Sequence, residues 1–311
     1  MDNKVFITGA SGFIGGALTP FLANKGFDVY ALERYVSNRY NTPTNPQVKT
    51  VFADLTDHVT VDSLIRQIKP EIIIHLAALS PVATSYDRWQ EYLEVNFNAT
   101  VNLAETALRH DPNLKQFIYA GTSECYGQQQ TFPIRETAEY RPNSPYAVSK
   151  VASVKYLKYM FEAYNFPVTI MFPFNTYGRL SCRHFVTEKT IFQMLTQKTV
   201  RLGDPKPIRD LLYITDHIEG YASAMEHPKA IGESFNICTG KGTSIKELMS
   251  KLALLTNFDG TVEWATIPAR PYDIMKLVGD NSKARNILGW KPQVDLDMGL
   301  EKTVEMLRKN V

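Results

Sequence analysis

Short apolar runs alternate with longer amphipathic segments through the first half of the chain. The apolar runs are rich in Val, Ile, Phe and Tyr and are typical of strands buried in a sheet. They predict strands at 4–8, 28–32, 48–52, 71–75, 116–120 and 168–171. The amphipathic segments between them predict helices at 12–25, 59–67, 86–110 and 146–165. Strands that alternate with helices indicate right-handed crossovers and therefore a doubly wound parallel α/β sheet.

The regular alternation of strands and helices ends after Pro173. Shorter strands and helices follow, separated by polar loops such as 203–207, so we expect a second, smaller α/β domain. The run Ser234–Ile237 has the character of one more strand of the first sheet, which would interleave the two domains. The expected division is a first domain of 1–174 with about 213–238, and a second of about 175–212 with 239–311.

Composition and charge exclude several broad classes of protein. Of the 311 residues 44% are hydrophobic and 21% are charged, and the formal net charge is +2, which suits a globular chain and not a nucleic-acid-binding one. No apolar run approaches the roughly 20 residues of a membrane helix. The first strand begins too early to leave room for a signal peptide. The three separated cysteines fit neither a disulfide framework nor a metal site, so we expect a cytoplasmic protein without a bound metal.

Three glycines follow the first predicted strand and open the first predicted helix. Gly9, Gly12 and Gly15 lie in the sequence GASGFIG. Glycines at this spacing provide a tight turn, close approach of the backbone to a pyrophosphate, and close packing of helix on strand. The N–H groups at the start of the helix then point towards the phosphates. The context predicts a dinucleotide site, and the alternative is a tight strand-to-helix turn that binds nothing.

The residues after the second strand bear on which dinucleotide binds. Glu33 stands where a carboxylate accepts hydrogen bonds from the ribose hydroxyls of NAD, whereas Arg34 could meet the 2′-phosphate of NADP. A carboxylate would repel that phosphate, which favours NAD and leaves NADP open. Asp54, after the third strand, is a candidate contact to the adenine edge, or else an ordinary exposed loop residue.

A tyrosine and a lysine stand one helical turn apart at Tyr146 and Lys150. A nearby ammonium group and a positive nicotinamide ring would lower the pKa of the phenol towards that of a base. Tyr272 and Lys276 have the same spacing, so spacing alone does not identify the pair. The first pair opens a long predicted helix that follows the strand-end sequence AGTSECYG at 120–127, whereas the second lies among prolines. We therefore interpret the second pair as incidental.

Motifs in the same order along nearly the whole chain resemble the extended short-chain dehydrogenase/reductases that act on nucleotide sugars. The motifs are GASGFIG, HLAALSPVATSY (75–86), TSECYG, SPYAVSK (144–150), FNTYG (174–178), RDLLYITD (209–216), RPYD (270–273) and LGWKP (288–292). The resemblance implies a Rossmann-type NAD(P)-binding domain and a smaller domain for the nucleotide sugar. It further implies a homodimer in which helices 86–110 and 146–165 form a four-helix bundle.

The resemblance also implies roles for individual residues. Thr122, Tyr146 and Lys150 match the family's catalytic Ser/Thr, Tyr and Lys. The implied cofactor-binding positions are Gly9, Gly12, Phe13, Ile14, Gly15, Glu33, Arg34, Asp54, Leu55, Leu76, Ala77, Ala78, Tyr146 and Lys150. The implied contacts to the nucleotide-diphosphate hexose are Ser80, Ser85, Ser123, Asn175, Arg209 and Arg270. The two arginines would bind the diphosphate through their planar guanidinium groups.

Glu124 bears on which reaction the protein would catalyse. In the resembling family a 4,6-dehydratase uses a carboxylate at this position to take the C5 proton of a 4-keto sugar and to protonate the departing water, whereas a 4-epimerase needs no carboxylate. Thr-Ser-Glu is the GDP-mannose dehydratase form of this motif, and 185–189 also resembles that subgroup. UDP-glucuronate decarboxylases share Thr-Ser-Glu but depart from SPYAVSK. We expect a nucleotide-sugar 4,6-dehydratase, with an epimerase or a decarboxylase as the alternatives.

Overall fold

The computed structural model describes residues 3–34, 47–179, 185–267 and 271–310. Its strands are β1 (Lys4–Thr8), β2 (Asp28–Glu33), β3 (Val48–Phe52), β4 (Ile72–His75), β5 (Gln116–Ala120), β6 (Val168–Pro173), β7 (Asn175–Tyr177), β8 (Thr199–Arg201), β9 (Ile208–Tyr213), β10 (Ser234–Ile237), β11 (Gly242–Ser244), β12 (Thr261–Glu263) and β13 (Lys276–Leu277). Its α-helices are α1 (Phe13–Asn24), α2 (His58–Ile68), α3 (Val82–Ser85), α4 (Trp89–Leu93), α5 (Ala99–His110), α6 (Pro145–Tyr164), α7 (Val186–Thr196), α8 (Ile214–Ala224), α9 (Ile245–Thr256), α10 (Ser282–Leu288) and α11 (Leu296–Arg308). No helix in this part of the chain is both long and apolar enough to cross a membrane.

Seven parallel strands form the central sheet, in the order β10-β6-β5-β4-β1-β2-β3. The chain starts in the middle at β1, moves outward to β3, and returns through β4 towards β10. This reversal of direction is the signature of a doubly wound sheet, whose ligands bind at the carboxyl ends of the strands. The predicted Rossmann-type fold is confirmed, and Ser234–Ile237 pairs with β6 as an edge strand of this sheet.

Both faces of the central sheet are buried, which explains the continuous apolar runs in its strands. Alternate residues of a strand point to opposite faces. Val5 and Ile7 therefore lie in one apolar cluster, with the neighbouring helices α1 and α8, while Phe6 lies in a second cluster with α2, α5 and α6. A sheet that is covered on both faces is rigid, and the loops at its carboxyl edge therefore hold their side chains in fixed positions.

A smaller sheet follows the carboxyl edge of the central sheet and contributes further strands. Strand β9 pairs with β11 antiparallel and with β13 and β7 parallel. Asn175 of β7 is opposite Leu211, and Arg209 of β9 is opposite Thr243 and Leu277. The pairing brings two of the expected substrate contacts, Asn175 and Arg209, onto adjacent strands. A two-stranded sheet of β8 and β12 lies apart from this one.

The helix expected over 86–110 is present, but it begins three residues later and contains a π-helical turn. Tyr86 lies outside any helix, α4 begins only at Trp89, and a π-helical turn over Glu94–Asn98 separates α4 from α5. A π-turn inserts one residue into a helix, and here the turn contacts the loop after β4. The side chain of Asn96 in this turn accepts a hydrogen bond from Leu79 N at 2.8 Å and donates to Leu79 O at 3.0 Å. Apolar periodicity does not reveal such a polar contact.

The long helix α6 begins and ends with recognisable capping residues. Ser144 is its N-cap and its side chain accepts from Ala147 N, while Pro145 occupies the first turn, where a missing N–H costs nothing. Asn165 closes the helix in the left-handed conformation. The prediction of a helix over 146–165 is therefore displaced by one residue at each end. Because the cap fixes the first turn, it also fixes the position of Tyr146.

Candidate active site

The glycine-rich loop has no room for side chains at two of its three glycines. Gly9 has a φ of 70°, and a Cβ built on it would lie 2.7 Å from Ala77 N. A Cβ on Gly15 would lie 2.2 Å from Gly9 O. Gly12 is the N-cap of α1, with its N–H bonded to Gly9 O at 3.0 Å. The loop therefore presents bare backbone at a helix N-terminus, which fits the pyrophosphate of a dinucleotide.

The other expected cofactor residues surround this loop at the ends of β1, β2, β3 and β4. Glu33 is the last residue of β2 and is buried, whereas the next residue, Arg34, is exposed. Ala77 donates its N–H to Thr8 Oγ1 at 3.2 Å, next to Gly9. The remaining half-buried or buried members of the set are Phe13, Ile14, Leu55, Leu76 and Ala78. Phe13 and Ile14 begin α1, and the others lie at the carboxyl ends of strands or in the segments that follow them, where an open sheet binds its ligand.

Asp54 fits its alternative interpretation better. It is exposed, and its Oδ1 accepts hydrogen bonds from Thr56 N at 2.9 Å and from Thr56 Oγ1 at 2.8 Å. A carboxylate that bonds a backbone N–H two residues later stabilises a turn. The structure thus gives Asp54 a local role at the end of β3, whether or not it also contacts a ligand.

His75, at the end of β4, is a packed and hydrogen-bonded residue. Its ring is fully buried between Thr8 Oγ1, 2.7 Å from Nδ1, and Thr100 Oγ1, 2.8 Å from Nε2. Burial lowers the pKa of His75 to about 3, with a further contribution from the charge of Lys150. A neutral imidazole with both nitrogens in contact with hydroxyl groups is structural.

Thr122 and Tyr146 come together at the carboxyl end of β5. Thr122 caps a 3₁₀ turn over Ser123–Tyr126, and its Oγ1 accepts from Glu124 N at 3.3 Å. Both side chains are more than nine-tenths buried. Burial raises the pKa of Tyr146 above its usual range, and a hydrogen bond with Thr122 opposes that rise. A Tyr–Thr pair with this contact can share one hydroxyl of a ligand between them.

Lys150 lies one turn after Tyr146 on the inner face of α6. Its side chain is buried, and Nζ lies 4.2 Å from the centre of the Tyr119 ring. Burial lowers the pKa of Lys150 to about 7. The group therefore changes its charge near neutral pH, which is where a group that stabilises a phenolate has to act.

Glu124 is a buried carboxylate beside this pair. Only 9% of its surface is exposed, and its charge acts on Tyr146, whose pKa it raises. The side chain belongs to the first turn of the 3₁₀ helix that Thr122 caps, so the same turn positions both residues. An ionisable residue held this deep next to a second titrating group is a candidate for acid–base chemistry.

The Tyr272–Lys276 pair does not form a comparable site. Tyr272 is half exposed and lies outside any helix, and Lys276 belongs to strand β13, with its Nζ 4.5 Å from the centre of the Phe132 ring. The spacing of four residues brings side chains together only on a helix. The equal spacing of the two pairs is therefore coincidental.

The expected substrate residues lie in different surroundings. Ser123 is buried in the turn after Thr122, and Ser80 is exposed. Ser85 is buried, with its hydroxyl donating to Val82 O at 2.7 Å. Asn175 carries a buried Oδ1 for which the described residues supply no hydrogen-bond donor. Arg270 lies outside the described residues.

Arg209 lies on β9 close to an acidic residue. Its guanidinium donates to Ile208 O at 3.0 Å, and its second terminal nitrogen is 3.5 Å from Asp273 Oδ1. The side chain is about one-tenth exposed, which is unusual for an arginine. A mostly buried guanidinium near the carboxyl edge of the sheet is suited to an anionic ligand.

Asn96 is a positioning residue that sequence reasoning missed. Besides its two bonds to Leu79, its Nδ2 donates to Ser149 Oγ at 3.1 Å, and its carbonyl accepts from Ser153 Oγ at 2.8 Å. The residue is fully buried in the π-turn and ties the loop after β4 to the helix that carries Tyr146 and Lys150. No signal in the sequence separates Asn96 from the neighbouring Asn98 and Asn102.

No group of three or more His, Cys, Asp or Glu residues within the described ranges has the geometry of a metal site. The two cysteines in those ranges, Cys125 and Cys238, are buried free thiols. Burial raises the pKa of Cys125 to about 12, so its thiol stays protonated near neutral pH. Neither residue adds a second reactive group to the site.

Comparison with known proteins places the chain among enzymes of nucleotide-sugar metabolism. The family model described as GDP-mannose 4,6 dehydratase matches residues 6–303. UDP-glucose 4-epimerase of Mycolicibacterium smegmatis is 32% identical, with 98% of each chain covered. GDP-mannose 4,6 dehydratase 2 of Arabidopsis thaliana is also 32% identical, over 97% of this chain and 84% of the relative.

Solved structures agree over the whole fold. UDP-glucose 4-epimerase of Thermotoga maritima, solved with UDP-glucose, has a TM-score of 0.92 and 29% identity, with 99% of each chain covered. The dTDP-glucose 4,6-dehydratase DesIV of Streptomyces venezuelae, solved with NAD, has a TM-score of 0.91 and 25% identity over 99% of this chain and 97% of the neighbour. Dehydratases and epimerases thus share this architecture. The chain belongs to the GDP-mannose 4,6-dehydratase family, within the nucleotide-sugar dehydratases and epimerases of the extended short-chain dehydrogenase/reductase type.

Proposed function

We propose that the protein is a nucleotide-sugar 4,6-dehydratase that uses NAD and converts a nucleotide-diphosphate hexose into its 4-keto-6-deoxy form. The observation that carries this proposal is Glu124, a buried carboxylate in the same turn as Thr122, whose charge acts on Tyr146. Burying a carboxylate is costly unless its surroundings compensate. An epimerase of this family has no use for a carboxylate at this place, whereas a dehydratase requires one.

The cofactor site fits a dinucleotide through the backbone of the glycine-rich loop. Gly9, Gly12 and Gly15 leave space for the pyrophosphate at the start of α1, and buried Glu33 at the end of β2 favours NAD through its ribose hydroxyls. Arg34 beside it keeps NADP as the alternative. When bound, the nicotinamide supplies the hydride chemistry by accepting the hydrogen of C4 and returning it to C6.

Tyr146 is the base for the first step, the oxidation at C4. It takes the proton of the 4-hydroxyl, and Thr122, whose side chain is beside the Tyr146 hydroxyl, forms a hydrogen bond with the same substrate oxygen. Burial raises the pKa of Tyr146, so the phenolate needs a positive charge close by. Lys150, one turn away, titrates near pH 7 and is the side chain of this site that supplies such a charge.

Glu124 acts on the 4-keto sugar that the first step leaves. The ketone acidifies C5, and the carboxylate takes the C5 proton before the bond from C6 to its hydroxyl breaks. The departing hydroxyl leaves as water with the proton that Glu124 passes on. C5 regains a proton as hydride reaches C6, the proton that Tyr146 took from the 4-hydroxyl balances it, and the sugar loses one water in total. One carboxyl group can serve as base and then as acid because it holds the same proton between the two steps.

The nucleotide sugar would lie across the edge between the two sheets. Arg209 and Arg270 hold the diphosphate, Asn175 contacts the sugar, and Ser123 lies beside the reacting hydroxyls. Ser80 and Ser85, which follow β4 in the chain, are also proposed contacts to the sugar. The structure favours Ser123 over Ser85, since Ser85 already donates to Val82 O. The identity of the nucleotide base and of the hexose is left to the experiment below.

The alternative is a nucleotide-sugar 4-epimerase. Its support is the likeness to UDP-glucose 4-epimerases, which reaches 32% identity over 98% of the chain. In that reaction Thr122, Tyr146 and Lys150 would keep their roles, and the keto sugar would turn over before reduction at C4. Glu124 would then be a bystander, and the product would have the mass of the substrate.

Mass spectrometry separates these reactions. We would incubate the purified protein with NAD and with GDP-, UDP-, dTDP- and CDP-hexoses, and compare wild type with Glu124→Gln. The expected result is loss of one water from one nucleotide sugar by wild type, at a rate that falls roughly 100-fold or more in Glu124→Gln. Glu305→Gln, a change on the exposed face of α11, is the matched control and should behave as wild type. A product of unchanged mass that is a new hexose isomer would replace the dehydratase by the epimerase.

The quaternary structure and domain division are part of this proposal. Exposed aromatic side chains stand on α4 and α6, with Trp89, Tyr159 and Tyr164 each about half exposed, and Tyr159 contacts Tyr164 at the end of α6. Aromatic clusters of this kind mark protein interfaces more often than solvent surface. We infer a homodimer through a four-helix bundle built around α5 and α6. The cofactor domain spans 1–174 with about 213–238, and the sugar-nucleotide domain about 175–212 with 239–311.

A further inference from the structure

Arg179 is stacked between two aromatic rings that come from distant parts of the chain. Its guanidinium carbon lies 4.1 Å from the centre of the Phe13 ring and 3.8 Å from the centre of the Phe185 ring. The side chain is about one-tenth exposed. A planar guanidinium between two ring faces, largely out of water, makes a stronger cation–π contact than an exposed pair does. We call Phe13, Arg179 and Phe185 the arginine stack.

A buried carboxylate fixes the arginine in this stack. Glu188 Oε1 accepts hydrogen bonds from Gly178 N at 2.9 Å and from Arg179 N at 3.1 Å, and it is 3.3 Å from the Arg179 guanidinium. Glu188 belongs to the first turn of α7 and its side chain is about 1% exposed. The guanidinium also donates to Thr176 O. The end of β7, the start of α7 and the arginine are therefore held as one unit.

The arginine stack touches both binding sites proposed above. Phe13 is the first residue of α1, in the glycine-rich loop that would hold the pyrophosphate. Arg179 follows β7, which begins with Asn175 and pairs with the strand that carries Arg209. One ring of the stack thus belongs to the cofactor loop, while the arginine belongs to the segment expected to hold the nucleotide sugar.

We propose that Arg179 is a positioning residue that couples the two sites, so that NAD increases the affinity for a nucleoside diphosphate and the diphosphate increases the affinity for NAD by the same factor. NAD bound at the glycine-rich loop stabilises the packed position of the Phe13 ring, and the ring in turn stabilises the Arg179 guanidinium and the end of β7 that it contacts. The second ligand then loses less conformational entropy on binding. Linkage requires the effect to be reciprocal. This inference rests on the proposed binding sites but not on which reaction follows.

Isothermal titration calorimetry of the full chain measures the coupling directly. The dissociation constant of NAD is determined alone and in the presence of saturating UDP, GDP or dTDP, and the largest ratio of the two constants is the coupling factor. We expect a factor of about five or more in wild type. In Arg179→Met, which keeps the length of the side chain without its charge or planar group, the factor should fall to about one.

Matched variants separate coupling from general damage. Phe13→Leu removes one ring of the stack and should lower the factor, whereas Phe13→Tyr keeps the ring and should restore it. Arg201→Met removes an exposed arginine whose ion pair with Glu263 is remote from both sites, and it should leave the factor unchanged. Thermal unfolding of each variant without ligands shows whether the fold is intact.

The outcomes are distinct. A factor of one in wild type, or an equal factor in wild type and Arg179→Met, overturns the proposal. A high factor in wild type that is lost in Arg179→Met supports it, even if mass spectrometry finds no loss of water and the dehydratase is rejected. Loss of water with a factor of one would keep the dehydratase and reject the coupling.

Discussion

Lys150 Nζ lies 4.2 Å from the centre of the Tyr119 ring, and both side chains are almost completely buried. A ring face attracts a cation, but burial costs the ammonium its hydration. The cost exceeds the gain here, because burial lowers the pKa of Lys150 from 10.5 to about 7. The charged form of Lys150 therefore destabilises the fold when no ligand is bound. An anionic partner such as a phenolate would stabilise that charge.

The pH dependence of stability tests this relationship. Above about pH 7 the folded protein loses the Lys150 proton while the unfolded chain keeps it to about 10.5, so the free energy of unfolding rises with pH in this window. We expect Lys150 to add about 2 kcal/mol between about pH 7 and pH 9. Lys150→Met should remove that increase, and exposed Lys246→Met should keep it. Urea unfolding at the two pH values measures the difference, and an equal increase in all three proteins would contradict the assignment.

Tyr146→Phe should abolish turnover without loss of structure. The phenol hydroxyl is the only group removed, and in the proposed reaction its oxygen takes the proton of the 4-hydroxyl. We expect the rate to fall by roughly 1,000-fold, in the range for loss of a positioned acid–base group. Tyr272→Phe is the control, since Tyr272 has the same spacing to a lysine but lies half exposed outside any helix. Product formation is measured by mass spectrometry and NAD binding by calorimetry. Equal rates in the two variants would remove Tyr146 from the mechanism.

Local rules account for the parts of the molecule that the sequence predicted well. Gly9 and Gly15 were recognisable because a turn and a close packing contact both forbid a Cβ there. The strands of the central sheet were recognisable because burial on both faces leaves a continuous apolar run. Ser144 and Pro145 marked the start of α6 by the same kind of short-range signal.

Contacts between distant segments account for what the sequence did not reveal. Asn96 lies in a π-turn and bonds Leu79, and Arg179 is important because it meets Phe13 and Phe185. Neither contact leaves a periodic signal, since each depends on how separate elements pack. The sequence could therefore name Thr122, Tyr146 and Glu124 as candidates but could not identify the residues that hold their supporting segments in place.

Gly15→Ala tests the geometry of the cofactor loop. The new Cβ would lie 2.2 Å from Gly9 O and 2.7 Å from Ala10 Cα, so backbone has to move. We expect a loss of about 1–3 kcal/mol of stability, as in other overpacked sites, together with weaker NAD binding because α1 shifts away from the pyrophosphate position. Gly203→Ala is the matched control, since nothing lies within 4 Å of its Cβ position. Thermal unfolding and calorimetry with NAD provide the two readouts. Full NAD affinity in Gly15→Ala would show that the loop does not hold the pyrophosphate.

The exposed aromatic face of α6 predicts how the proposed homodimer can be broken. Tyr159 and Tyr164 are about half exposed, and their hydroxyls are 2.9 Å apart at the end of the helix. A charge placed in a buried interface loses its hydration without gaining a partner. Tyr159→Glu should therefore convert the dimer to a monomer, whereas Leu254→Glu, on the exposed side of α9, should leave it intact. Sedimentation velocity distinguishes the two species. A wild-type protein that sediments as a monomer at every concentration would reject the dimer, and a dimeric Tyr159→Glu would move the interface to another face.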